Sequence, residues 1–267
     1  MMDNSTTRSL RRQRSSLACA AGHLHTSWKS GPSGTPVKRL LAGADGMVIA
    51  GKHGTSPRLY GALLCDPQNQ ASQVLVETER LLRIYGHRKI RVADVADACK
   101  FSAAKVYRFF PSRLAILDAL ASHYLREATR TAIACAICNK RSARDQLSGF
   151  LTGLSTSLII FADSEPKVGE LLADASTEQW PCYSHYSARL FRCIAKILAN
   201  ARASGEFGFE ADAEQEVRHI KAAACALVEP DVIRLCRNRL DASACEALSR
   251  LIANALLNQA VSPGEFR

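Results

Sequence analysis

The sequence predicts an all-α chain: an N-terminal three-helix helix-turn-helix domain joined to a helical bundle. Three observations carry this. From residue 70 onward, apolar residues recur at i, i+3, i+4 and i+7 in one segment after another, the spacing of a helix with one buried face. Aromatic residues are only 6% of the 267 positions, while Ala and Leu are frequent and favour helix. The stretch Arg91 to Arg113, RVADVADACKFSAAKVYRFFPSR, fits two short helices around a sharp turn.

Residues 1–69 come first and keep no helical or strand period. Ser, Thr, Gly, Pro and Arg dominate, as in SGPSGTPVKR and GKHGTSPR, so this part is expected to be a disordered basic extension. The first helix is expected over Gln70 to Tyr85. Val74, Leu75, Leu81, Leu82 and Tyr85 form its apolar face, and Gly86 stops it. His87, Arg88 and Lys89 follow as an exposed link. Val92 to Cys99 make the next helix, with Val92, Val95, Ala96 and Cys99 on one face. Ser102 suits the N-cap of a helix over Ala103 to Phe109, with Val106, Phe109 and Phe110 facing inward. Pro111 closes it. Ser112 caps a long helix to about Cys138, striped by Leu114, Leu117, Leu120, Ala121, Tyr124, Leu125 and Ala128.

Beyond it, residues 142–163 form an amphipathic helix with Leu147, Phe150, Leu151, Leu154, Leu158 and Phe161. Pro166 starts a short helix through Ala173. Glu178 to Ser204 reads as a long helix broken near Pro181, ended by Gly205. Asp212 caps a helix with Val217, Ile220, Ala224, Leu227 and Val228, disturbed at Pro230. A last helix runs from about Ser243 to Leu257.

The motif residues resemble those of TetR-type transcriptional regulators. The matching positions are Gly86, Asp94-Val95-Ala96, Cys99, Ser102, Val106-Tyr107-Arg108-Phe109-Phe110 and Ser112-Arg113. The resemblance covers roughly residues 71–125. Lys100 stands where the family usually has Gly, so a left-handed turn there costs more. The usual Thr capping the motif's first helix is Arg91. The resemblance implies that the second motif helix enters the DNA major groove. Ala103, Ala104, Lys105, Tyr107 and Arg108 are then its outward residues, with Arg or Lys suited to guanine and an Ala methyl to thymine. Arg91 and Ser102 lie at helix N-termini, where phosphate is favoured. Tyr107 and Arg113 match positions where the family grips phosphate. It also implies that the long helix transmits changes between domains, and that the chain is a homodimer through helices near 212–229 and 243–257. A small-molecule effector would bind the C-terminal domain, giving a repressor that releases its operator.

Charge is segregated in the way such a reading requires. Residues 1–70 carry nine Lys/Arg against three Asp/Glu, residues 71–125 nine against five, and residues 126–267 seventeen of each. A basic N-terminal half beside a helix-turn-helix is the footprint of a phosphate-backbone binder.

In the C-terminal half, Phe150, Leu154, Phe161, Trp180, Tyr183 and Tyr186 are candidate walls of an effector pocket, with His185 as polar anchor. The same residues also fit ordinary core packing. Ten cysteines at irregular spacing suit reduced thiols in a cytoplasmic protein. Cys135 and Cys138 form a CxxC pair with no second pair, which leaves a redox- or metal-responsive helical protein as an alternative. A further alternative is an interaction module without operator binding. No continuous apolar run of about 18 residues is present, so no membrane span is expected. No Gly-rich phosphate loop, HExxH or GxSxG occurs, so no catalytic residues, metal or cofactor are expected. The domains expected are therefore 1–69, 70–125 and 126–260.

Overall fold

The computed structural model describes residues 70–138, 142–206 and 213–257, without the side chains of Cys138, Ala213, Leu256 and Leu257. The extension 1–69 and the cap Asp212 lie outside these residues. The described elements are α1 (Gln70–Tyr85), a 3-10 turn (His87–Lys89), α2 (Val92–Cys99), α3 (Ala103–Phe109), α4 (Arg113–Cys138), α5 (Ala143–Ser164), α6 (Pro166–Thr177), α7 (Pro181–Ala203), α8 (Ala213–Ala223), α9 (Cys225–Val228), α10 (Pro230–Cys236) and α11 (Ala242–Leu257). All are helical, and no strand occurs among the described residues.

The first three helices form a small cluster on the start of α4. Val74, Leu75, Leu81 and Leu82 of α1 are buried as their spacing requires. Tyr85 is not: it and Ile84 are more than half exposed, because α1 outruns the core in its last turn. The chain then turns at Gly86, whose φ of 78° suits a residue without Cβ. Its N–H donates to the Leu82 carbonyl at 2.8 Å. Leu114, expected in the α4 stripe, is exposed, and Ile116 takes the inward place beside Leu117.

Helix α4 has 26 residues and so is about 39 Å long. It packs on α1, α5, α6 and α7, and near its start Asp118 accepts from the Cys182 N–H of α7 at 2.8 Å. Helix α5 is the centre of the second domain, packed against α4, α6, α7, α9, α10 and α11. Ser142 caps it, accepting from the Asp145 N–H at 3.0 Å. By length and composition α5 could cross a membrane, with a mean hydropathy of 1.3 over an 18-residue window. Such a window tolerates Gly, Ser and Thr, and so admits a helix that has no uninterrupted apolar run. Most of it is buried inside the protein, as befits a core helix.

Three boundaries differ from those expected. Helix α6 continues to Thr177. Helix α7 begins at Pro181, with no helix before it: Gln179 has φ 55° and Trp180 is extended. Proline fits the first helical position and disfavours helix in the residue before it. The helix expected over 212–229 is two pieces, α8 and α9, divided at Ala224. Glu229 is then extended ahead of Pro230, which opens α10.

Two glycines set helix distances. An ideal Cβ on Gly153 would lie 2.8 Å from Cys135 Sγ and 3.1 Å from Ala132 Cα, and one on Gly169 would lie 2.8 Å from Ala162 Cα. Gly153→Ala is therefore expected to lower stability by about 1–3 kcal/mol through overpacking, measured by denaturant unfolding.

Candidate nucleic-acid interface

The helix-turn-helix is built by local hydrogen bonds. Asp94 accepts from the Arg91 N–H at 2.9 Å, placing a carboxylate on the first turn of α2, where the helix dipole favours it. At the other end, Lys100 adopts φ 57°, ψ 39°. The Phe101 N–H reaches the Ala96 carbonyl at 2.9 Å and the Lys100 N–H reaches Asp97 at 3.1 Å. This pair of bonds is the usual closure for a helix ending in a left-handed residue. The turn is thus left-handed although no glycine occupies it. Ser102 Oγ then accepts from the Lys105 N–H at 3.2 Å, and Ser112 Oγ accepts from the Ala115 N–H at 3.0 Å. Val106 and Phe110 are fully buried, while Phe109 is half-buried. Gln73 Nε2 donates to the Cys99 carbonyl at 3.3 Å, tying α2 to α1.

This scaffold leaves one face of α3 open. Ser102, Ala103, Ala104, Tyr107 and Arg108 are all exposed, Tyr107 by 50%. Lys105 is half-buried, its Nζ 3.7 Å from the centre of the Phe101 ring. Arg91 is exposed at the start of α2. Arg113 is different. Its Nε donates to the Ile90 carbonyl at 2.7 Å and its other nitrogen donates to the His87 carbonyl. Two of the three guanidinium nitrogens thus close the 86–90 turn onto α4.

In the 87–89 link Arg88 and Lys89 are exposed as expected, and His87 is not. His87 is 4% exposed. Its Nε2–H donates to Asp174 of α6 at 2.8 Å, and its ring meets Trp180 edge-on with centroids 6.4 Å apart. Arg88 grips both oxygens of Asp174. Nearby, Arg83 pairs with Glu165 and Glu79, each at 2.8 Å, and Tyr124 donates to Glu79 at 2.6 Å. Burial and the Glu79 carboxylate push the Tyr124 phenol far up. Burial opposes the charge on Asp174, but Arg88 and His87 outweigh it and hold its carboxyl below the ordinary value. None of these pairings across 80 or more residues carries a sequence signal; only the unusual His-Arg-Lys run after Gly86 marked the place.

The expected effector residues occupy several places in the second domain. Phe150 and Leu154 are fully buried in α5. Phe161 stacks edge-on to Tyr124 at 5.2 Å, and Trp180 donates to Glu178 and faces His87. Tyr183 donates to Glu229 at 2.5 Å and Tyr186 donates to the Val228 carbonyl at 2.6 Å. His185 is exposed, and its Nδ1–H donates to the Pro181 carbonyl at 2.7 Å. It is therefore not an anchor inside a buried cavity; at α7 positions 182–186, the buried residues Cys182, Tyr183 and Tyr186 leave it on the outer side. An open groove lies instead beside Ser142, Arg144, Asp145 and Glu206.

Cys135 is half-buried where α4 meets Gly153. Burial pushes the thiol of Cys99 up to about 11 and raises those of Cys182, Cys193 and Cys245. Among the described residues, no three His, Cys, Asp or Glu side chains gather as a metal site would require.

Two outcomes are expected. Lys100→Gly relieves the left-handed strain and raises stability by about 1 kcal/mol, read from the denaturation midpoint. Asp174 has a depressed folded pKa, so its contribution is complete above the ordinary value of 3.8 and is lost as pH falls through the lower folded value. The stability gap between the wild type and Asp174→Asn should therefore shrink as acid denaturation is followed below that value.

Comparison with known proteins follows this geometry. Residues 143–249 match the family model for the tetracyclin repressor-like C-terminal domain. No curated protein matches. A structure of a transcriptional regulator from Pseudomonas aeruginosa PAO1 is similar, with TM-score 0.56 and 14% identity, over 77% of this chain and 98% of that one. Thermus thermophilus FadR, a TetR-family transcriptional repressor in complex with lauroyl-CoA, is similar with TM-score 0.53 and 15% identity, over 74% and 98%. A TetR-family regulator from Rhodococcus sp. is similar with TM-score 0.51 and 20% identity, over 70% and 98%. At these identities the likeness is one of fold.

Proposed function

We propose that the chain, whose residues 143–249 match the tetracyclin repressor-like C-terminal domain, is a cytoplasmic, ligand-responsive repressor of the TetR family that binds its operator as a homodimer. The observation that carries the DNA reading is the capped, exposed α3, with Ala103, Ala104, Tyr107 and Arg108 on one open face. Arg108 reads guanine edges, the alanines meet thymine methyls, and Tyr107 with Ser102 and Arg91 contacts phosphate. Lys105 adds charge beside them.

Dimerisation is supported by apolar surface left open on the last helices. Leu251 is 65% exposed on α11, with Ala247 and Ala255 exposed one turn to either side, and Ala222, Ala223 and Cys225 are exposed at the junction of α8 and α9. A twofold axis through this surface sets two recognition helices at a fixed separation, which a palindromic operator matches. The effector is an apolar or aromatic small molecule held in the C-terminal domain. It favours a helix separation that does not fit DNA, and it acts only as far as it binds one state better than the other. The reading includes no catalytic step.

The test is binding to the DNA flanking the chain's own gene, against a scrambled duplex, across a salt series. The wild type should bind its own duplex selectively with a steep loss on added salt. Arg108→Ala should weaken that binding by about 5- to 150-fold while changing the scrambled duplex far less. A folded dimer that binds neither duplex at low salt would overturn the reading.

A further inference from the structure

The turn between α2 and α3 fixes an aromatic ring beneath a cation. Phe101 follows the left-handed Lys100, and its N–H is held by the Ala96 carbonyl at 2.9 Å. Its ring is half-buried and packed against the hydrophobic core, so backbone and side chain are both set by the fold. Four residues on, the Lys105 N–H donates to Ser102 Oγ at 3.2 Å, and its Nζ lies 3.7 Å from the centre of the Phe101 ring. A cation over a ring face at that distance is attracted by the ring quadrupole.

The pair lies at the border of the open face. At about 100° per residue, Ala103, Tyr107, Ala104 and Arg108 span about 140° of α3, and Lys105 comes about 60° beyond Arg108. A helical side chain leans toward the N-terminal turn, and contact with Phe101 keeps Lys105 in that direction. In a helix-turn-helix, the N-terminal residues of the second helix are the ones that meet base edges. An ammonium has three N–H donors. The ring covers one side of it and leaves donors for a second partner.

We propose that Phe101 is a positioning residue for operator recognition: it holds the Lys105 ammonium where O6 and N7 of one guanine accept from it. The proposal rests on the regulator reading and goes beyond it, since Lys105 there only adds charge. A lysine is a point charge on a flexible four-carbon stem. Left free, it reaches whichever phosphate is near and carries no sequence information. Held against a ring that the turn itself immobilises, it is aimed before DNA arrives, and lysine to guanine O6 and N7 is a specific contact. A turn residue thereby decides one base pair of the operator.

The test has one arm without DNA and one with it, both on the full-length chain. With lysine labelled at Cε, the ring current should move the Lys105 ε-methylene NMR signal upfield of the other lysines, and Phe101→Leu should return it to their range. In the second arm, each guanine of the duplex flanking the chain's own gene is replaced in turn by 7-deazaguanine, which lacks the N7 acceptor. One replacement should weaken wild-type binding by about tenfold and leave Lys105→Gln and Phe101→Leu unaffected. Phe101→Tyr, which keeps the ring, should show the wild-type loss. Phe101→Leu keeps the charge, so its salt slope should match that of the wild type. Phe101→Met replaces Phe101→Leu if that variant does not fold. Three results would each overturn the proposal while leaving the regulator reading in place: an unshifted Lys105 signal, guanine dependence that survives Phe101→Leu, or a Lys105→Gln variant that lowers the salt slope by about one while still reading every guanine. A wild type that binds its own and a scrambled duplex alike would overturn both.

Discussion

One apolar face of α4 belongs to two cores. Ile116, Leu117 and Leu120 close the small N-terminal cluster, and Leu125, Ala128 and Ala132 close the bundle. Neither domain can bury its surface without this helix, so neither can be removed from it without exposing core. A helix shared in this way also cannot bend freely, since every turn between Arg113 and Cys138 keeps its backbone ladder. The recognition helix is therefore attached to a rigid element, and its small domain is steadied by polar clasps at Asp174 and Glu165.

Those clasps change how the basic charge is understood. By composition, residues 71–125 carry an excess of positive charge. Much of it is paired: the exposed Arg83 and Arg88 with carboxylates of the second domain, Arg113 with backbone carbonyls, and Lys105 with an aromatic ring. Outside these pairings and the Arg80–Glu77 bridge, the exposed set is Lys89, Arg91, Lys100 and Arg108, smaller than the total suggests. Long-range attraction to phosphate depends on the total, whereas register on DNA depends on which side chains are still able to reach it.

The helices were legible because helix formation is local. Caps at Ser102, Ser112 and Ser142, the stop at Gly86 and the apolar periods all act within a few residues. Pro181 and Pro230 marked the breaks near them, and the boundaries that differ are the end of α6 at Thr177, the stretch between it and Pro181, and the division at Ala224. The site was legible in part. The open face of α3 follows from the same period that buries Val106. The roles of Arg113 and His87 did not, since each is decided by partners 23 to 87 residues away. Of the aromatic residues at the start of α7, Trp180, just before it, belongs to the domain junction, while Tyr183 and Tyr186 belong to the α9–α10 break.

The close approach at Gly153 has a mechanical meaning. Where Ala132 and Cys135 lie against a residue without a side chain, α4 and α5 approach too closely to admit a methyl group, and relative sliding meets hard repulsion at once. That point is a fulcrum. It stands about 20 residues, or about 30 Å, from the start of α4. A tilt of about 5° there displaces the Arg113 end by about 2.6 Å by simple leverage on that arm. A motion too small to break any packing at the pivot is thus amplified at the end that bears the recognition helix.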